Sequence, residues 1–154
     1  MDEVKGDLVS AALGGTSVAH CVSADFRITG GVAKQLDLKF NIKSDLMTDV
    51  ASEMRRVGNV IELKRRVSAK DGAVIVSIYN VITKATVRDK PTYDDFEAAI
   101  ETLRDAVSDS RLRKSAIAIP RLGCGIDGLE WSRVKEILLR VFAKSDILLV
   151  VYTL

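Results

Sequence analysis

The sequence predicts an α/β fold. Short apolar segments of strand length alternate with segments whose apolar residues recur at helical spacing, the order expected of an α/β chain. The two prolines, Pro91 and Pro120, both stand at junctions between such segments. No linker, repeat or low-complexity tract interrupts the 154 residues, so positions 1–154 read as a single domain.

The elements follow in order. Val18 to Val22 (VAHCV) is a buried strand, Ser23 to Gly31 a loop, and Val32 to Phe40 the helix behind it. Ser44 can cap a second helix running to Arg56, with Leu46, Met47, Val50 and Met54 as its apolar stripe. Val57 to Val67 and Ala73 to Ile82 read as strands joined by the turn signal Lys70-Asp71-Gly72. The second of them, AVIVSIYNVI, is apolar on both faces and belongs inside a sheet. Thr92 caps the next helix, with Asp94 and Asp95 suiting its positive end and Phe96, Ala99, Ile100, Leu103 and Val107 facing the core. Ser115 to Pro120 is another buried strand. A Gly-rich loop then leads into an amphipathic helix ending at Phe142, and Ile147 to Leu154 closes the chain as a strand. The total is about five strands and four helices, with Met1 to Lys5 as the remnant of one more strand.

Composition excludes several function classes. Net charge is only +2, from 23 basic and 21 acidic residues, and aromatics make up 5%, which gives no footprint for nucleic acid. No apolar run approaches the ~18–20 residues that a membrane span needs, and no secretory leader pattern is present. Cys21 and Cys124 read as two reduced thiols of a soluble intracellular protein, nuclear or cytoplasmic. One histidine and two cysteines cannot supply a structural zinc site, so no metal is expected. A catalytic Cys124 paired with His20 is a minor alternative.

Three segments share one geometry: HCVSADFRITGG, VITKATVRDKPT and AIPRLGCGIDG each follow a buried strand with glycines or polar residues. Loops at the carboxyl ends of strands form the ligand crevice of open α/β sheets. Gly123 to Gly128 satisfies G-x-G-x-x-G between a strand and a helix, but a second mononucleotide half is missing, and Asp146 precedes the last strand instead of following it. Nicotinamide chemistry is therefore disfavoured. A backbone cradle for a pyrophosphate survives, and Gly30-Gly31 before the next helix offers a second. No Gly-Lys-Ser/Thr occurs, so a P-loop is excluded. Lys84 ends the apolar strand at the rim, and Asp127 sits in the Gly-rich loop. Each taken alone reads more readily as a solvated lysine or a turn acid than as chemistry.

The stretches KGDL, AHCVSADFR followed by GGVA, VITK with KPTYDDF, IPRLGCGIDGLEW and the terminal VVYTL resemble the macro-domain family. Within it they are most similar to the terminal ADP-ribose protein glycohydrolase (O-acyl-ADP-ribose deacylase) subfamily. The resemblance implies a three-layer α/β/α fold with a mixed, mainly parallel sheet of about six strands, ADP-ribose lying across the strand ends. It implies that Asp7 reads the adenine amino group. Gly30 and Gly31 would follow the diphosphate and distal ribose, and Gly123, Cys124, Gly125 and Ile126 would form the second diphosphate loop. Leu8, Ser23, Val32, Thr83, Pro120, Leu122 and Leu154 complete the implied binding set.

Lys84 and Asp127 match the subfamily's catalytic pair, which cleaves the ester joining mono-ADP-ribose to glutamate or aspartate side chains. O-acyl-ADP-ribose is a related candidate substrate. The implied partners are ADP-ribose and ADP-ribosylated proteins, with no cofactor and a monomeric state. In this chemistry the distal ribose opens to an aldehyde that a neutral lysine amine attacks, while the carboxylic acid assists opening and release. Burial would favour the neutral amine and an ionised Asp127 would oppose it, so the two effects compete. Thr29 stands where relatives carry glycine, and Ala85 where they carry a second basic residue. A non-catalytic ADP-ribose reader and an ADP-ribose 1″-phosphate phosphatase are the alternatives.

Overall fold

The computed structural model describes residues 1–110 and 116–154. Its strands are β1 (Asp2–Lys5), β2 (Val18–Ser23), β3 (Val60–Ala69), β4 (Gly72–Lys84), β5 (Ala116–Ile119) and β6 (Leu148–Thr153). The helices are α1 (Leu8–Leu13), α2 (Gly31–Phe40), α3 (Ile42–Asp49), α4 (Tyr93–Asp109) and α5 (Trp131–Val141). The strands form one sheet in the order β1-β6-β5-β2-β4-β3. Only β3 runs antiparallel, so β1, β6, β5, β2 and β4 end on a common rim.

The interior strands are apolar on both faces because helices cover both. Ala19, Tyr79, Val81, Ile117 and Ile119 pack with α4 and α5. The alternating residues Val18, Ile78 and Ala118 pack instead with α1 and α2, and Val22 and Ile82 join Leu46 of α3. Period-two alternation thus divides each strand between two cores, giving the three-layer fold.

Most of the predicted elements form as read. The hairpin turns at Lys70-Asp71, with Ala69 opposite Gly72, and Thr92 caps α4 through a 3.0 Å bond from the Asp95 N–H. β4 lies between β2 and β3 as expected, although its first four residues are exposed in a projecting hairpin. Ser115 of the predicted fifth strand lies outside the described residues.

One reading needs correction. The helix expected from Ser44 to Arg56 starts earlier, at Ile42, and stops at Asp49. Asn41 adopts a left-handed conformation (φ 53°, ψ 47°) that ends α2 and begins α3, a role asparagine tolerates. The Asp37 carboxylate then accepts the Lys43 N–H at 2.8 Å, so the new helix is capped from the old one. At the other end the Arg55 guanidinium donates to the carbonyls of Leu46, Met47 and Val50, satisfying the orphan acceptors of α3. Met47 and Met54 are consequently exposed rather than core. The remnant strand read at Met1 to Lys5 forms as the short edge strand β1, pairing with β6 from Asp2 to Lys5.

Candidate active site

The rim carries a crevice built from the β2–α2, β4–α4 and β5–α5 connections. From β2–α2, Ser23, Gly30, Gly31 and Val32 line it; from β4, Lys84; from β5–α5, Pro120, Leu122, Gly123, Gly125, Ile126 and Asp127. Its volume of about 230 Å³ falls below the ~300–1,000 Å³ usual for a pocket that engulfs its ligand. A larger ligand would continue along the rim.

A slip in the ladder places the lysine. Val22 pairs with Ile82, but Ser23 pairs with Lys84, so Thr83 is an extra residue on β4. Such a bulge re-aims the side chain that follows it. Cross-strand partners share a face, so Lys84 falls on the face of Ser23, Cys21 and Ala19, where the β5–α5 loop arrives. There its ammonium donates to Asp127 Oδ1 at 2.6 Å and to the Val87 carbonyl at 3.1 Å. The two side chains are only 10% and 15% exposed.

The loop that brings Asp127 is closed by three backbone bonds: Cys124 to Arg121, Gly128 to Gly125 and Leu129 to Gly123. Lys90 adds a clamp, its ammonium donating to the carbonyl of Ile126 next to Asp127. Among the described residues, the N–H groups of Gly125, Ile126 and Asp127 meet no acceptor within the chain. Across the crevice α2 begins at Gly30 with no side-chain cap, so its first N–H groups and positive dipole face the same space. Asp127, the one acid lining the crevice among the described residues, is paired with Lys84, so these two sets of unspent donors can hold an anion such as a diphosphate.

Neither cysteine suits a nucleophile. Burial, reinforced by the Asp127 carboxylate, pushes the Cys21 thiol up to about 12, and burial raises Cys124, partly offset by Arg121. The Cys124–His20 pairing is not formed, since the Cys124 thiol donates to the Leu122 carbonyl. His20 is bonded instead to Asn80 Oδ1 at 2.6 Å through Nε2. Burial drives its pKa down to about 4 against the raising effect of that bond, leaving it neutral. Among the described residues no group of three potential ligands could hold a metal, and no helix is long and apolar enough to cross a membrane.

No family model matches the chain. The macrodomain of Thermus aquaticus DarG superposes with a TM-score of 0.82 at 22% identity, covering 99% of this chain and 97% of that one. A structure of Thermosipho africanus DarTG in complex with ADP-ribose gives 0.81 at 20% identity, covering 97% of this chain and 40% of that one. ADP-ribose glycohydrolase OARD1 of Homo sapiens is 35% identical over 156 residues, covering 98% of this chain and 90% of the relative. The chain belongs to the OARD1 family of macro domains. The Bos taurus protein of the same name matches at the same identity and coverage.

In this macro domain several residues expected at the ligand do not line the crevice itself. Thr83 is buried in the bulge, and Cys124 packs against the α4–α5 core. Asp7, Leu8 and Leu154 lie at the ends of β1 and β6, further along the same rim. Asp7 caps α1, accepting the N–H groups of Val9 and Ser10 at 3.3 Å. Conversely, His20, Cys21, Arg27, Thr29, Val87 and Arg121 line the crevice without having been assigned to it. All six fall inside the strand-end segments that the sequence marked, so the signal was present at segment level.

Gly123 is fixed by both torsion and contact. Its φ is +71°, and a Cβ there would lie 2.7 Å from Leu129 Cδ1 and 3.3 Å from Cγ. Gly123→Ala is expected to destabilise the macro domain by about 2 kcal/mol through left-handed strain and displacement of Leu129. Urea unfolding of the variant against wild type measures this.

Proposed function

We propose that this macro domain is a hydrolase that removes mono-ADP-ribose ester-linked to glutamate or aspartate of proteins, with O-acyl-ADP-ribose as a smaller substrate of the same chemistry. The observation that carries the reading is the Lys84–Asp127 pair, 2.6 Å apart and largely buried, beside the backbone donors of the α2 N-terminus and the β5–α5 loop. The glycohydrolase name of the curated relatives supports it.

The strand order supports one orientation of the ligand. Asp7 follows β1 and Lys84 ends β4, four strand spacings apart, or roughly 19 Å. An elongated ligand would then place adenine near Asp7, its diphosphate over the β5–α5 loop and the α2 N-terminus, and its distal ribose at Lys84. Asp7 already accepts the Val9 and Ser10 N–H groups and the Ser10 hydroxyl while capping α1, and a carboxylate accepts about four bonds, so one position remains for an adenine amino group.

The resting pair shares one proton. On its transfer to Asp127 the amine becomes a neutral nucleophile at no change in net charge. The amine attacks the anomeric carbon, the carbon–oxygen bond to the protein carboxylate breaks, and that carboxylate departs as a stable anion. Water then adds to the carbon bearing the lysine nitrogen, the carbon–nitrogen bond breaks, and proton exchange with Asp127 restores the lysine. A carboxylate leaving group needs little protonation, so the buried neutral His20 is not required as an acid.

Incubation with a protein mono-ADP-ribosylated on glutamate tests the proposal by the appearance of free ADP-ribose. Binding of ADP-ribose without release would make the domain a reader. Liberation of phosphate from ADP-ribose 1″-phosphate with the ester left intact would make it a phosphatase.

A further inference from the structure

A second carboxylate reaches Lys84 without touching it. Asp25, in the loop after β2, accepts the Ser23 hydroxyl at 2.5 Å and the Arg27 N–H at 3.1 Å on Oδ1. Its Oδ2 accepts the Val87 N–H at 3.1 Å, across 62 residues of sequence. The carbonyl of that same Val87 accepts the Lys84 ammonium at 3.1 Å. Burial opposes the charge on Asp25, but the bonds from Ser23, Arg27 and Val87 outweigh it and hold the carboxyl below its usual value.

The geometry points to Asp25 as a positioning residue for the reaction, setting the Lys84 amine through Val87 while Asp127 holds it directly. A lysine has a long, freely rotating stem. One short contact to Asp127 leaves it a cone of orientations, and the Val87 carbonyl is the second fixed point. That carbonyl lies in the β4–α4 connection, where the Thr86 N–H to Asp89 and Asp89 N–H to Thr86 bonds brace the turn internally. Asp25 is what ties this turn back to β2, and hence to the sheet carrying Lys84. Its other oxygen anchors Arg27, which lines the same crevice. Asp25 therefore couples the ligand-facing loop to the nucleophile.

The idea rests on Lys84 being the nucleophile proposed above, and its test separates the two. Asp25→Asn has one oxygen and cannot accept both the Arg27 and Val87 N–H groups, whereas Asp25→Ala can accept neither. Misplacing a reacting group by about an ångström costs up to ~10²-fold. Asp25→Asn should lower kcat for ADP-ribose release by about 10-fold and Asp25→Ala by about 10²-fold. The Kd for ADP-ribose should stay within about threefold of wild type, because Asp25 bonds none of the donor N–H groups of the α2 N-terminus or the β5–α5 loop.

A readout free of turnover accompanies these: the ¹⁵N signal of the Lys84 ammonium, sharp in a buried, doubly bonded group and assigned by its loss in Lys84→Ala. It should broaden or vanish in both Asp25 variants. Unchanged kcat with an unchanged Lys84 signal, or a loss of ADP-ribose affinity equal to the loss of activity, overturns the positioning role. If Lys84→Ala keeps full activity the nucleophile reading fails, while a perturbed Lys84 signal in the Asp25 variants still upholds the coupling. Should Asp25→Ala not fold, Asp25→Asn carries both measurements.

Discussion

Lys84→Ala is expected to cut release of ADP-ribose from a glutamate-linked substrate by about 10³-fold or more, since the variant lacks the group that makes and breaks the covalent bond. Binding of free ADP-ribose should survive. The backbone donors of the α2 N-terminus and the β5–α5 loop do not involve the lysine side chain. Removing the ammonium also leaves the Asp127 carboxylate without its partner in a site where it is 15% exposed. A modest loss of stability, about 1 kcal/mol, should accompany the loss of activity. Asp127→Ala separates the steps by degree. Attack is slowed because the ammonium must lose its proton to water; release is slowed further because its proton exchange is lost, and the adduct that forms should persist. A mass increase of one ADP-ribose on Lys84 in that variant is the expected signature. Ordinary turnover by Lys84→Ala would refute the covalent route and leave the reaction class standing.

The second large effect concerns stability and pH. His20 is 1% exposed, with its pKa at about 4, against about 6.5 in an unfolded chain. Between those values the unfolded state binds a proton that the folded state refuses, so stability rises with pH across this window. Stability is complete above about pH 6.5 and falls as the pH drops toward 4. The interval of about 2.5 units corresponds to roughly 3 kcal/mol. Urea unfolding at pH 7.0, 5.5 and 4.5 should trace this loss. His20→Gln, which can still donate to Asn80 but does not titrate, should flatten it. Asp25 also contributes a pH-dependent share, because its carboxyl is held below its usual value. That share is present above the ordinary carboxylate value and is lost as the pH falls through it toward the lower folded value, so it meets the histidine window only at its acid end. A slope that persists in His20→Gln would assign the effect elsewhere.

Much of the fold was legible because it depends on local and periodic signals. The stripe Phe96, Ala99, Ile100, Leu103 and Val107 is buried as its spacing requires, and Thr92 caps its helix as its hydroxyl permits. The α3 region was misread because its boundaries depend on tertiary partners. Asp37 caps it from the preceding helix, and Arg55 terminates it from outside. No window of sequence contains those contacts as a pattern. In the site, the Gly-rich loop and the strand-end lysine were visible singly, but their 2.6 Å contact spans 43 residues and follows from topology. The Asp25–Val87 link is of the same kind: the segments were marked, while the bond between them is a property of the folded rim.

The slipped pairing at Thr83 has a consequence for anyone moving this site to another scaffold. Counted along β4, Lys84 is an even step from Ile82 and Ile78, which face α2 and α3. On a regular strand, even steps stay on one side. Copying the residues in their natural spacing onto an unbulged strand would therefore deliver the amine to the wrong layer, with the sheet between it and the carboxylate. The faithful transplant places lysine one position earlier, directly after the isoleucine, or carries the irregularity along with it. The nucleophile of this domain is thus specified by residue type and also by parity, and parity responds to insertion and deletion where substitution leaves it untouched.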